Sequence, residues 1–394
     1  MKHGIRPLFA AAIFAFAAAA SSAEIDVMTQ NQYLGADLTP IIAAGSAQPF
    51  DPVAFNAAVV TALSKVAANL PQERFKALAG LIAKRGPHLV GLQEVFRYDC
   101  QGPGCADPAI AGAFNDHLQG TLDALDGAYV VKATVKNLDL TLPVVTSTGQ
   151  ALVTVIDRDV VLARSDIASA VAPVPFNAIC AHPSMDGCNY DVVGEVSLGG
   201  ATVRIERGFV GVDATVGGEA YRFVNTHLEV REPAAGNPYS RIVQAAQAYQ
   251  LLLTMQGTTP ADRKLLVVGD INSDPRDEIL PVPPPLQPLL GTDVIVPPYM
   301  QFRIAQFTDA WTLRPGASTG RGAPPVGFSC CQDEDLGNHQ SAHYERIDMI
   351  FSRALPQRAR NARLLGESIA DKTWPKGFGV WPSDHSSVAA RLQY

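Results

Sequence analysis

The sequence has little charge, and less of it positive than negative. Asp, Glu, Lys and Arg make up 18% of residues, and 31 Lys and Arg against 38 Asp and Glu leave a net charge of −7. This excludes a surface coated for nonspecific polyanion binding and leaves only a local basic groove as an electrostatic route to nucleic acid. With 47% hydrophobic residues, the chain is neither disordered nor fibrous. No Cys-x-x-Cys pair with nearby histidine partners occurs, which disfavours a cysteine-rich zinc site. There is no internal repeat and no composition break that reads as an interdomain linker. Beyond the N-terminus, no apolar run approaches the roughly 20 residues needed for a bilayer-crossing helix.

The N-terminus reads as a secretory signal: Lys2 and Arg6, an apolar stretch from Leu8 to Ala20, then small residues at Ser21-Ser22-Ala23. Residues 1–23 are expected to be removed, leaving 24–394 as one domain of a secreted or periplasmic protein. No cysteine near the cleavage point supports a lipid anchor. Six cysteines in an exported chain point to disulfides. Cys100 and Cys105 flank a Gly-Pro-Gly turn, and Cys180 and Cys188 flank another loop, so two short local bridges are the simplest assignment. For the adjacent Cys330 and Cys331, a vicinal bridge and pairing elsewhere both stay open.

What the chain has in quantity is apolar strand-like runs that end in polar side chains. Leu265-Leu266-Val267-Val268-Gly269 reads as a strand buried on both faces and delivers Asp270, Asn272 and Asp274 at its end. Asp270 and Asn272, two residues apart, point the same way off an extended chain, and Gly269 allows a close backbone approach. Ile25 to Asn31 alternates like a strand. Helical patterns follow over Val53 to Asn69 and Gln72 to Lys84, with Gly86-Pro87 as the stop. His88 to Leu92 then runs into Gln93-Glu94, and this order argues for a layered α/β fold. Strands are expected over Ala151 to Ile156, Val160 to Leu162, Ala201 to Val216 and Tyr221 to Asn225, the last leading into His227. A helix over Ser240 to Thr254 precedes the Asp270 strand. Asp348 opens another strand, and Asp384-His385 precedes the last.

Each of Asn31, Glu94, His227, Asp270, Asn272, Asp348, Asp384 and His385 thus sits at an end of a strand-like run. Taken singly, such a residue is more often a turn or cap residue. Carboxylates, amides and imidazoles gathered at one sheet rim instead make a metal and phosphate site, and hard oxygen ligands without thiolate suit Mg²⁺, Mn²⁺ or Ca²⁺.

The motifs Thr-Gln-Asn31, Leu-Gln-Glu94, Asn-Thr-His227-Leu, Gly-Asp270-Ile-Asn272, Arg-Ile-Asp348 and Ser-Asp384-His385 resemble those of the endonuclease/exonuclease/phosphatase superfamily, which includes DNase I-like nucleases, neutral sphingomyelinases and inositol polyphosphate phosphatases. The resemblance implies a four-layer α/β sandwich, with two packed central β-sheets flanked by helices and the site at one rim. It implies Asn31, Glu94 and Asp384 at the metal and a catalytic set of His227, Asp270, Asn272, Asp348 and His385. In that set His385 is the base on water, oriented by Asp348. Asp270 and Asn272 position nucleophile and phosphate, and His227 donates to a phosphate oxygen or protonates the leaving group. Two departures bear on substrate: Gln32 stands where a small apolar residue is frequent, and Phe328-Ser329-Cys330-Cys331-Gln332 precedes Arg-Ile-Asp348.

Arg353, Arg358, Arg360 and Arg363 are expected on a solvated face, and His117, His182, His339 and His343 on the surface or in loops. The stretch from Pro281 to Met300 is expected to pack over the core, with an apolar rim for a lipid substrate as the second reading. The expected function is a metal-dependent phosphodiesterase acting on a lipid headgroup or other small organic phosphate, in contact with a membrane surface and acting as a monomer. A secreted DNase I-like nuclease ranks lower, because duplex binding relies on Lys and Arg. A noncatalytic binding protein that keeps the fold is the alternative from another class.

Overall fold

A computed structural model describes residues 23–231, 238–314, 326–374 and 379–394. The expected signal segment falls almost wholly outside them. The first strand, β1 (Glu24–Asn31), is followed by helices α1 (Pro52–Ala68) and α2 (Pro71–Arg85). Asp51 starts α1 by accepting from the backbone N–H of Val53 and Ala54, and Gly86, at φ 63°, ends α2 in the left-handed conformation that glycine adopts without strain. Strands β2 (Leu89–Gln93), β3 (Arg97–Gln101), β4 (Tyr129–Thr146) and β5 (Gly149–Arg164) follow. Then come β6 (Gly208–Val216), β7 (Glu219–His227), α3 (Tyr239–Thr258) and β8 (Lys264–Asp270). The chain closes with β9 (Asp348–Ser352), β10 (Arg358–Leu365) and β11 (Ser387–Gln393).

One seven-stranded sheet runs β10-β11-β1-β2-β5-β3, with β4 also on β5; the core of an eight-stranded sheet runs β9-β8-β7-β6. Their inner faces pack together through Val27, Leu89, Val161, Val210, Phe223, Leu266, Val268 and Ile350. Ala79 and Ile82 of α2 cover the outer face of the first sheet, and Ala248, Leu251 and Met255 of α3 cover that of the second. This is a DNase I-like four-layer α/β sandwich. Strands buried on both faces explain the continuous apolar runs.

The backbone is close-packed at two glycines, Gly269 against the neighbouring strand of its own sheet and Gly91 against the opposite sheet. A Cβ on Gly269, at φ 144°, would stand 1.9 Å from the Thr226 carbonyl oxygen. One on Gly91 would stand 2.5 Å from Asn225 Oδ1. Asn225 crosses between the sheets, donating to the Leu92 and Val160 carbonyls at 2.8 and 3.1 Å.

Several local expectations are corrected. Ala151 to Ile156 and Val160 to Leu162 belong to one unbroken strand, in which Asp157 and Asp159 are buried, Asp159 accepting from Asn137 and Asp157 standing 4.0 Å from Arg207. Ala201 to Val216 is two strands, split at Glu206-Arg207, with Ala201–Ile205 in a separate hairpin. His117 is a core residue, its ring 4.9 Å from that of Phe75, and burial holds it neutral. His343 is partly buried beside the site, whereas His182 and His339 are exposed, as are the four arginines. The stretch from Pro281 to Met300 buries Val282 and Ile295 but leaves Leu289 80% exposed. Cys100 pairs with Cys105, Cys180 with Cys188, and Cys330 with Cys331.

Candidate active site

β1 and β2 are parallel and in register at Asn31 and Gln93, so their C-terminal ends deliver Asn31 and Glu94 to the same rim. β7 and β8 are parallel with His227 opposite Asp270. β9 runs antiparallel to β8 and brings Asp348 opposite Asp270 from its start. β11 runs antiparallel to β1, so the residues before it, Asp384 and His385, return to the same rim. All eight residues named from the sequence therefore meet at one rim, where the two sheets end.

The Asn31 amide joins the two sheets. Its Nδ2 donates to Glu94 Oε1 at 3.0 Å and to Asp270 Oδ2 at 3.2 Å, while its Oδ1 accepts from the Tyr33 backbone N–H at 2.9 Å. Glu94 adopts φ 53°, and its Oε2 accepts from the Leu34 N–H at 2.7 Å. Asn272, at φ 48°, donates from its own backbone N–H to Asp270 Oδ1 at 2.9 Å and from its side chain to the Leu228 carbonyl at 2.9 Å. Two left-handed non-glycine residues at one rim are backbone strain held by the surrounding hydrogen bonds.

His385 and Asp348 form a buried pair, with Nδ1 2.8 Å from Asp348 Oδ2. Nε2 faces Asp270 Oδ2 at 3.8 Å and Asp384 Oδ1 at 4.0 Å. Burial alone would lower the proton affinity of His385, but Asp348, Asp384 and Asp270 outweigh it and raise that affinity above the ordinary imidazole value. Burial pushes Asp270 up to about 7, against the pull of His385, and pushes Asp384 up to about 6. The clustering of Glu94, Asp270, Asp348 and Asp384 is thus unfavourable on its own. Their oxygens match the donor set of a divalent cation, whose charge would offset the repulsion. Asp348 Oδ1, buried without a hydrogen-bond partner, agrees with an under-compensated site.

Residues outside these eight support the rim. Arg74, fully buried on α2, donates to the carbonyls of Gln32, Tyr33 and Pro382, binding the segment after β1 to the segment before His385. Gln32 is buried against Thr121 at 3.0 Å. On the far side of His227 lies a second polar group of Arg207, Glu229, Asp157 and Asp159. The Asp157-Arg158-Asp159 triplet inside an apolar run was its one visible signal.

A model of the Endonuclease/Exonuclease/phosphatase family matches residues 55–385, most of the chain and seven of the eight rim residues. The chain belongs to the endonuclease/exonuclease/phosphatase family. It is accordingly a hydrolase of phosphoric ester bonds. No curated protein matches it by sequence. Solved structures with a similar fold include three of low identity. Mannosyl-6-phosphatase from Bacteroides thetaiotaomicron is 13% identical, with a TM-score of 0.50, covering 94% of this chain and 100% of that one. An endonuclease/exonuclease/phosphatase from Beutenbergia cavernae is 18% identical, with a TM-score of 0.47, covering 94% and 71%. Humanized D. rerio TDP2 is 13% identical, with a TM-score of 0.46, covering 94% and 99%. This endonuclease/exonuclease/phosphatase member has its rim residues on the ends of six separate strand segments, which is why they are scattered over most of its length.

Proposed function

We propose that the protein is an exported, divalent-metal-dependent phosphodiesterase that cleaves a lipid headgroup or other small organic phosphate by direct attack of water. The observation that carries the reading is the buried His385–Asp348 pair aimed at Asp270 beside the Glu94 and Asp384 carboxylates. Asp348 holds the Nδ1–H of His385, so Nε2 is the atom that takes the proton of the attacking water. Asp270 orients that water, and the Asn272 and His227 side chains bind phosphoryl oxygens. Asn31, Glu94 and Asp384 would hold the cation, Mg²⁺ or its relatives Mn²⁺ and Ca²⁺. When bound, it neutralises phosphate charge and offsets the carboxylates that raise the proton affinity of His385.

Support for an amphiphilic substrate comes from an apolar groove of about 650 Å³ between the outer face of α3 and the segment after Asn272, lined by Tyr249, Leu253, Leu290, Val294 and Ile304. Its wall is tied to the site loop through the Tyr299 N–H, which donates to Ser273 Oγ at 3.2 Å. The acidic balance of the chain weighs against duplex DNA.

The test is a parallel assay on sphingomyelin, phosphatidylcholine, a phosphoinositide, a soluble phosphomonoester and plasmid DNA, with and without EDTA. Hydrolysis of a lipid or small phosphate, lost on chelation and restored by Mg²⁺ or Mn²⁺, is expected. Efficient plasmid cleavage with nothing released from the others overturns the substrate reading. Turnover indifferent to chelation overturns the metal.

A further inference from the structure

His227 has a cationic neighbour. Its Nδ1 lies 3.1 Å from Nη1 of Arg207, not beside a carboxylate. Arg207 immediately precedes β6, and its side chain is 15% exposed. The nearest carboxylates, Asp157 and Glu229, stand 4.0 Å from its Nη atoms, beyond hydrogen-bond range, and its Nε has no partner among the described residues. The ring nitrogen is therefore the close contact of this guanidinium.

A guanidinium only donates, so Nδ1 must offer its lone pair, and the ring proton is left to Nε2. On that side stand Asp270 Oδ2 at 3.5 Å and Asn272 Nδ2 at 3.2 Å. The opposite tautomer would let Asn272 donate to Nε2, but it would drive an N–H on Nδ1 against a full positive charge. Hydrogen bonds from charged donors are roughly twice as strong as neutral ones, so the arginine decides. We propose that Arg207 is a positioning residue that fixes His227 as a neutral imidazole with its proton on Nε2, facing Asp270 and the phosphate position. His227 then donates a hydrogen bond to a phosphoryl oxygen and is not the acid that protonates the leaving group. Burial, Arg207 and His385 all lower its proton affinity, in keeping with a neutral ring. The carboxylates beyond Arg207 act through it. Burial opposes its charge, but Glu229, Asp157, Glu94 and Asp159 hold the guanidinium charged.

The role in phosphoryl binding rests on the proposed function, but the tautomer does not, and the test reads it without turnover. Histidine side chains are labelled with ¹⁵N in the full protein, with His227→Gln assigning the resonances. The expected spectrum shows a protonated Nε2 and an unprotonated Nδ1 for His227 at neutral pH. Arg207→Lys, which keeps a charged donor, retains that pattern, and Arg207→Met loses it. A protonated Nδ1 in the wild-type protein, or a wild-type pattern in folded Arg207→Met, overturns the proposal. If Arg207→Met does not fold, the wild-type spectrum alone decides. A protein that shows the tautomer yet hydrolyses no phosphate ester keeps the positioning role and loses the function.

Discussion

Asn31 and Asp270 are 239 residues apart in sequence and joined by one hydrogen bond of 3.2 Å between the ends of the two sheets. Because the same amide also holds Glu94 at 3.0 Å, the proposed cation ligand and the proposed nucleophile-positioning carboxylate are set by one side chain. The two sheets thereby supply one site, and substitutions in either should be felt at the same reacting centre.

The His385–Asp348 pair is expected to behave as a unit with Asp270. His385→Ala and Asp270→Asn each lower turnover by at least about 10², since each removes a charge-handling group from the reacting centre. Circular dichroism and thermal unfolding establish that the variants are folded. Near-native turnover in a folded, metal-loaded variant removes that residue from the mechanism.

Glu94→Gln should act on the cation and not on proton transfer. The carboxylate charge is lost while the shape is kept, so the Mg²⁺ concentration for half-maximal activity rises and turnover at saturating metal falls less. An Mg²⁺ titration that superimposes on the wild type would take Glu94 off the ligand set.

Asp157 makes stability depend on pH. Burial raises its pKa to about 6, against the pull of Arg207, whereas in the unfolded chain it titrates near about 4. The folded state thus holds the proton more tightly. The contribution is fully present below about pH 4 and is lost as pH rises through about 6. Asp157→Asn keeps an uncharged group there, so its stability relative to wild type should rise across that window. Thermal melts of both proteins at closely spaced pH values measure the difference, and a constant offset would contradict the assignment.

The short-loop disulfides should matter to stability more than to chemistry. Cys100 and Cys105 are five residues apart and lie outside the rim. Closing so short a loop restricts the unfolded chain little, which puts the contribution at about 2 kcal/mol. A Cys100→Ser/Cys105→Ser protein is expected to melt lower with turnover unchanged. Mass spectrometry showing free thiols at both positions of the nonreduced wild-type protein would dispose of the bridge.

Much of this site was legible because the ends of buried strands are where polar residues stand out. Gly269-Asp270-Ile271-Asn272 marks a strand end, a close backbone approach and two converging side chains in four letters. Asn31, Glu94, His227, Asp348, Asp384 and His385 were visible for the same reason, since an apolar run that stops on a carboxylate or imidazole breaks its own pattern. Helices α1 and α2 announced themselves by period and by stop signals at Gly86-Pro87. His117 was misjudged because burial of a neutral ring against Phe75 leaves no mark in the local pattern. The polar triplet at Asp157-Arg158-Asp159 read as a break between strands, since nothing nearby in sequence shows that Asn137 lies 2.8 Å from Asp159 Oδ2.

The sequence by itself determined the layers, the family and which residues end the strands, because period, turn chemistry and motif spacing are local properties. Only the tertiary structure decided what those residues face. That Nδ1 of His385 meets Asp348 while Nδ1 of His227 meets Arg207 is a matter of side chains brought within about 3 Å across sheets. Two imidazoles of the same intrinsic chemistry are thereby pushed in opposite directions, since proton affinity follows the charges nearest in space and not those nearest along the chain.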